Sequence, residues 1–132
     1  MRSIKQVSVG ANMMPVTFNA SQLDPDQEVD LPKLMAIISD CHKMVRDDRY
    51  SEQERDSYLD KAHKLAKQRD RLLGEYFTKG IAELKKANAA IKKVKDATNQ
   101  AIKDFKKTAD TLEQIGALIN ALDDVIKLLP IP

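Results

Sequence analysis

From Leu84 to the end of the chain, a hydrophobic position recurs every seven residues. Leu84, Ile91, Thr98, Phe105, Leu112, Ile119 and Ile126 make one row. Ala87, Val94, Ala101, Thr108, Ile115, Leu122 and Leu129 make a second, three positions later. These are the a and d positions of a heptad, held in one phase with only Thr98 and Thr108 interrupting. A helix with such a seam must bury it against a partner helix. After residue 112 the apolar face widens to take in Leu118, Val125 and Leu128, which suits a bundle core better than a two-stranded zipper. Pro130 and Pro132 end the pattern.

Length sharpens the constraint. Residues 81–129 as one helix would run roughly 70 Å at a rise of about 1.5 Å per residue. A compact globule of this chain length is only about 36 Å across. The helix must therefore break, protrude or pair with another chain. If it breaks, the polar run Asp96-Ala97-Thr98-Asn99-Gln100 is the best candidate, while the unbroken phase across that run argues for continuity.

Two shorter helices precede the seam. Helix A is expected from Leu31 to near Asp48-Arg49, with Asp30 as N-cap and Pro32 in the first turn. Its apolar positions are Leu34, Ile37, Ile38, Cys41, Met44 and Val45. Helix B starts after Ser51, where Ser51 and Glu54 form an S-x-x-E capping box. Its apolar positions run from Tyr58, Ala62 and Leu65 through Leu72 and Leu73 to Tyr76 and Phe77, and Gly80 is the expected stop or kink. Residues 1–30 read differently. Val7 and Val9, then Met14, Val16 and Phe18, alternate with polar neighbours about Gly10-Ala11-Asn12. That pattern fits a flexible arm or a short β-hairpin needing something to pack on.

The resulting expectation is an all-α fold. It is an elongated helical hairpin or three-helix bundle with a long heptad-repeat C-terminal helix, plus a short extended or β N-terminal arm. The arm covers residues 1–30 and the helical bundle or coiled-coil domain residues 31–132. The likeness is to bundle and coiled-coil proteins in general and carries no function.

Composition narrows the function. The 132 residues contain 1 Cys, which excludes a disulfide framework within the chain. Lys+Arg 22 against Asp+Glu 20 argues against a polybasic binder. No stretch reads as a Sec-type signal or a spanning helix, so a cytoplasmic location is expected. Charge is nevertheless segmented. Residues 24–60 carry 11 acidic and 5 basic side chains, and residues 79–107 carry 9 lysines and 3 acidic ones. Opposite signs on helix A and the seam helix suit antiparallel packing or head-to-tail association.

No constellation points to catalysis, a cofactor or a metal. Cys41 and His42 are adjacent and point about 100° apart on a helix. Asp60 and His63 supply only half of a di-iron motif. Cys41 falls on an apolar stripe and reads as a buried structural thiol. No phosphate-binding glycine loop or nucleophile elbow occurs. The paired acids Asp47-Asp48 and Asp123-Asp124 read as solvated. We therefore expect a non-enzyme.

The expected function is a helical protein-interaction module that binds, neutralises, chaperones or scaffolds another protein, in the manner of an immunity protein, an antitoxin or a secretion chaperone. Its interaction seam would be Leu84, Ile91, Val94, Phe105, Leu112, Ile115, Ile119, Leu122 and Ile126. Two alternatives stand beside it. The heptad helix could assemble into a homo-oligomer as a structural or membrane-active component. The basic face of Lys85, Lys86, Lys92, Lys93, Lys106 and Lys107 could bind nucleic acid, although no aromatic residue interleaves the lysines for base stacking. The charge balance and the interrupted apolar runs argue against a membrane partner.

Overall fold

The computed structural model describes residues 27–130. Four helices follow in order: α1 (Leu31–Val45), α2 (Glu52–Leu72), α3 (Ile81–Lys103) and α4 (Thr108–Ile126), with a single 3₁₀ turn at Phe105–Lys107 between the last two. No strand occurs among the described residues. The candidate β-hairpin about Gly10 lies outside them.

The first two helices start where their side chains dictate. The Asp30 carboxylate accepts the Lys33 N–H at 3.2 Å, and a proline occupies the first turn of α1. Ser51 and Glu54 close the capping box reciprocally, at 3.1 Å and 2.8 Å. Helix α2 stops sooner than its apolar pattern suggests, at Leu72. Gly74 follows in the left-handed region at φ 78, and the Glu75 N–H returns to the Leu72 carbonyl. Gly80 begins α3 rather than ending α2; it too has positive φ, and a Cβ there would overlap Leu128. Residues 73–80 are thus a connection, not the tail of helix B.

The long seam does not form one helix. It breaks at Asp104, whose carboxylate accepts the Lys106 N–H at 3.1 Å and whose backbone is extended. Of the two readings left open at Thr98, continuity holds: Thr98 is fully buried within α3, and its hydroxyl donates to Asp40 Oδ2 at 2.8 Å. A polar residue in the seam is tolerated because α1 brings it a partner. At about 1.5 Å per residue the two halves measure about 35 Å and 28 Å, dimensions that suit a compact bundle. The hairpin or three-helix expectation gives way to four helices.

The bundle is two antiparallel hairpins side by side. Helix α1 packs on α2 and α3, and α4 packs on α3 and α2, so α1 and α4 are diagonal, as are α2 and α3. Cross-links fix the directions. The Asp30 N–H reaches Asn88, Asp40 reaches Lys95 and Thr98, and Tyr50 reaches Ala101, so α1 and α3 run parallel. Tyr58 meets Thr108, and Gln68 meets Ile119 and Asp123, so α2 and α4 run parallel as well. The antiparallel packing expected from opposite charges on helix A and the seam helix is therefore corrected. That attraction survives locally, as the Asp40–Lys95 pair.

The core takes Leu34, Ile37 and Met44 from α1, Tyr58 and Leu65 from α2, Leu84 and Ile91 from α3, and Ile115, Leu118 and Leu122 from α4. In α3 the buried residues are the a and d positions. In α4 the d row continues through Thr108, Ile115 and Leu122, but its companion is Thr111, Leu118 and Val125, one residue earlier than the expected a row. Leu112, Ile119 and Ile126 are only half-buried. The 3₁₀ turn is tighter than an α-turn and rotates the following helix.

Two outcomes check this fold. Because the seam closes within the chain, light scattering across a concentration series should return a mass near the 14.9 kDa of one chain. Leu118→Ala should cost about 2–5 kcal/mol in denaturant unfolding and Ile119→Ala clearly less; the reverse order would restore the unbroken heptad frame.

Candidate interaction surface

The seam is occupied by its own chain. Leu84, Ile91, Val94, Ile115 and Leu122 are all buried between the four helices. Leu112, Ile119 and Ile126 flank that core, half-covered. Phe105 is the exception: it sits in the turn at the α3–α4 tip and is 41% exposed, because the break at Asp104 takes it out of the seam. The basic residues are all exposed. Lys85, Lys86, Lys92 and Lys93 lie along the outer side of α3, and Lys106 and Lys107 lie in the tip.

The apolar surface that remains is concentrated at the opposite end, around the connection that follows α2. Leu73 caps α2 with its side chain 68% exposed. After the Gly74 turn the next two aromatics diverge. Phe77 is buried, while Tyr76 is 47% exposed and donates its hydroxyl to Gln27 Oε1 at 2.7 Å. The Phe77 N–H donates to the Gln27 carbonyl at 2.9 Å, so the approach to α1 is laced to this loop. Asn88 continues the lacing, donating to the Glu28 carbonyl and accepting the Asp30 N–H, both at 2.9 Å. Val29 between them is buried.

The end of α4 forms the facing wall. Leu128 lies over Gly80, and Arg71 donates to the Pro130 carbonyl at 3.3 Å. Between this wall and the loop is an open cleft of about 650 Å³. Tyr76, Phe77, Leu128, Leu129 and Pro130 line it together with Glu75, Thr78, Lys79 and Lys127. Its lining mixes apolar with polar and charged side chains, as in surfaces that seat an apolar side chain among polar neighbours.

The other polar groups are structural in their geometry. Asp40 is buried, accepting from Lys95 Nζ at 2.7 Å and from Thr98, with Lys43 Nζ at 3.8 Å from its other oxygen. Tyr50 and Tyr58 meet edge to face with centroids 5.5 Å apart. The Tyr50 hydroxyl donates to the Ala101 carbonyl, and that of Tyr58 is hydrogen-bonded to the Thr108 hydroxyl. Burial raises the pKa of both phenols. The half-buried Asp47 is bonded to Arg49, which holds its carboxyl below the usual range, and Arg49 also reaches the Ile102 carbonyl at 2.7 Å. His42 is half-buried and His63 exposed, while Asp60 pairs with Lys64 at 3.2 Å. Among the described residues, no group of three or more His, Cys, Asp and Glu is placed to hold a metal. Nor is any helix among them long and apolar enough to cross a membrane.

Comparison with protein families, with curated proteins and with solved structures gives no match for this chain. The functional reading therefore rests on the molecule's own geometry.

The cleft was missed in the sequence because Leu72, Leu73, Tyr76 and Phe77 keep helical spacing. The signal against a helix was Gly74, one residue beyond Leu73.

Cys41 supplies a measurable outcome. It is fully buried, and burial, followed by the nearby Asp40 charge, pushes its thiol up to about 12 from 9.0. A raised acid pKa favours the folded state while the group stays protonated in both states. That contribution is lost as pH rises from 9 toward 12, where the unfolded chain ionises first. Tyr50 and Tyr58, also raised, act in the same direction. Thermal melts from pH 7 to 11 should show stability falling above about pH 9, less steeply in Cys41→Ala. Iodoacetamide at pH 8 should alkylate the native thiol far more slowly than the denatured one.

Proposed function

We propose that this protein is a non-enzymatic helical module that works by binding another protein, and that the end of the bundle around residues 73–80 is where it does so. The observation that carries the reading is the placement of its exposed apolar side chains. Leu73 and Tyr76 lie three residues apart in the same connection, and Tyr76 lines the cleft with Leu128 and Leu129, whereas Met35 lies in α1 and Phe105 in the turn before α4. Single exposed apolar residues are ordinary, but a contiguous patch with a polar rim favours docking. Tyrosine is also a residue type enriched at interface centres.

In this reading the heptad seam builds the bundle, and the partner meets the bundle's end. The parallel helix pairs make a rigid base, so little ordering cost attaches to presenting Leu73 and Tyr76. Neutralising, chaperoning or scaffolding a partner are all served by such a surface. The lysines on α3 then act as solvated charges that keep the long side of the bundle in water.

The test compares full-length protein with its Leu73→Asp variant. Leu73 is 68% exposed, so the change should leave the melting temperature within a few degrees. Quantitative co-purification from the native source should recover a partner in near-stoichiometric amount with the parent, and at least about tenfold less with the variant, equivalent to about 1.4 kcal/mol. Equal recovery with both proteins, or recovery of none, overturns the proposal.

A further inference from the structure

At the turn between α3 and α4, side chains stand in for helical hydrogen bonds. In an uninterrupted helix the Lys106 N–H would donate to the Ile102 carbonyl and the Phe105 N–H to that of Ala101. Here the Lys106 N–H goes instead to the Asp104 carboxylate at 3.1 Å. The Ile102 carbonyl accepts from Arg49 Nη2 at 2.7 Å, and the Ala101 carbonyl from the Tyr50 hydroxyl. The Asp104 N–H still donates to the Gln100 carbonyl at 2.8 Å, so α3 is wound up to the break itself. Asp104-Phe105-Lys106-Lys107 contains neither glycine nor proline, so no residue in it forbids a helix. The break is held by side chains: Asp104 itself, and Arg49 and Tyr50 from the connection between α1 and α2.

The sequence supplies a reason for a straight form. Leu84, Ile91, Phe105, Leu112, Ile119 and Ile126 keep one seven-residue phase across the turn. A hairpin requires no such phase, since its two arms are set independently, whereas a continuous helix with one seam does. The closed bundle leaves Phe105 41% exposed and Leu112, Ile119 and Ile126 half-covered, so it uses this row only in part.

We infer that a second copy of this chain is a partner: two copies open at Asp104–Lys107, each α3 runs on into its own α4, and the α4 helices are exchanged between the two bundles. The docking of α4 on α2 and α3 is then remade with the other copy, so the closed and exchanged forms differ chiefly at the turn. Phe105 of each copy lies where the two long helices cross and is covered there. Dilute protein remains closed. An α4 tethered through residues 104–107 outcompetes that of another copy until the protein concentration approaches the effective concentration of the tether, on the order of a millimolar. The exchange goes beyond the proposed binding function and uses the pole opposite the cleft, so either stands if the other fails.

The test unfolds the full chain in guanidinium and refolds it at about 1 mM and at about 10 µM, concentrations chosen around that crossover. Size-exclusion chromatography with light scattering reads the dimer, at twice the 14.9 kDa of one chain. The parent should give dimer from the concentrated sample and monomer from the dilute one. Arg49→Ala combined with Asp104→Ala removes two of the stand-in bonds and should raise the dimer fraction at least about threefold. Phe105→Pro should cut it at least about tenfold, because proline breaks a continuous helix. The closed turn accepts that proline, since Asp104 before it is extended at φ -136 and ψ 97, so the monomer should melt as the parent does. Spin labels at Lys93→Cys and Asp110→Cys show which chain supplies α4. Both residues line one cavity between α3 and α4, so a closed chain holds the labels as neighbours, whereas an opened one spaces them by about 26 Å of helix. Doubly labelled chains refolded in excess unlabelled protein should change from the short to the long distance in the dimer fraction. A dimer that keeps the short distance is two closed bundles side by side and overturns the inference. So do a Phe105→Pro dimer as abundant as the parent's, and absence of dimer from both the concentrated parent and the Arg49→Ala, Asp104→Ala variant.

Discussion

The side chain of Asp104 accepts the backbone N–H of Lys106 at the one place where the seam helix could have run on. Everything else in the bundle depends on that reversal. A seam repeating every seven residues has to be buried, and a straight helix of that length would outrun any core one chain of this size can build. Turning at Asp104 makes the second half of the seam the partner of the first. Phe105 is displaced into solvent at the tip, and the 3₁₀ turn rotates α4 by about one residue, bringing Leu118 and Val125 inward. The buried row through Ile115 and Leu122 survives because its spacing is unaffected by which neighbour completes it.

Which helices become neighbours is set by polar groups that cannot be left alone. A buried carboxylate without partners is costly, and Asp40 finds two of them on α3. The Tyr50 and Tyr58 hydroxyls and the Gln68 amide each reach across to a different helix, onto a carbonyl, a hydroxyl or a carboxylate. Apolar burial tolerates several arrangements of four amphipathic helices. These directional bonds suit only the one in which α1 lies along α3 and α2 along α4.

Much of this was legible in the residues, and the failures have physical causes. The starts of α1 and α2 were readable because Asp30, Ser51 and Glu54 act within a single turn. The helical class followed from periodicity alone. Thr98 looked like a break because its solution, Asp40, lies 58 residues away. Asp104 escaped notice because a single capping side chain leaves the seven-residue spacing intact. Leu118 and Val125 were visible as a widening of the apolar face, yet only tertiary packing chooses between them and Ile119 or Ile126. The cleft was hidden for the opposite reason: helical spacing continued through Tyr76 and Phe77, and one glycine overruled it. The residues before Gln27 belong to the same problem, since their pattern of alternation names no packing partner.

Gln27 and Pro130 leave the bundle at the same end, on the two sides of the loop that follows α2. The far end, at Tyr50, Phe105 and Thr108, is made only of interhelical turns. A chain so arranged is topologically open at one pole and closed at the other. Gln27 and Pro130 could be joined by a short linker and new ends cut at the Phe105 tip, with all four helices and their neighbours preserved. By the same token, a bulky domain joined directly at Gln27 or Pro130 would emerge beside the cleft and screen the surface it was meant to report on.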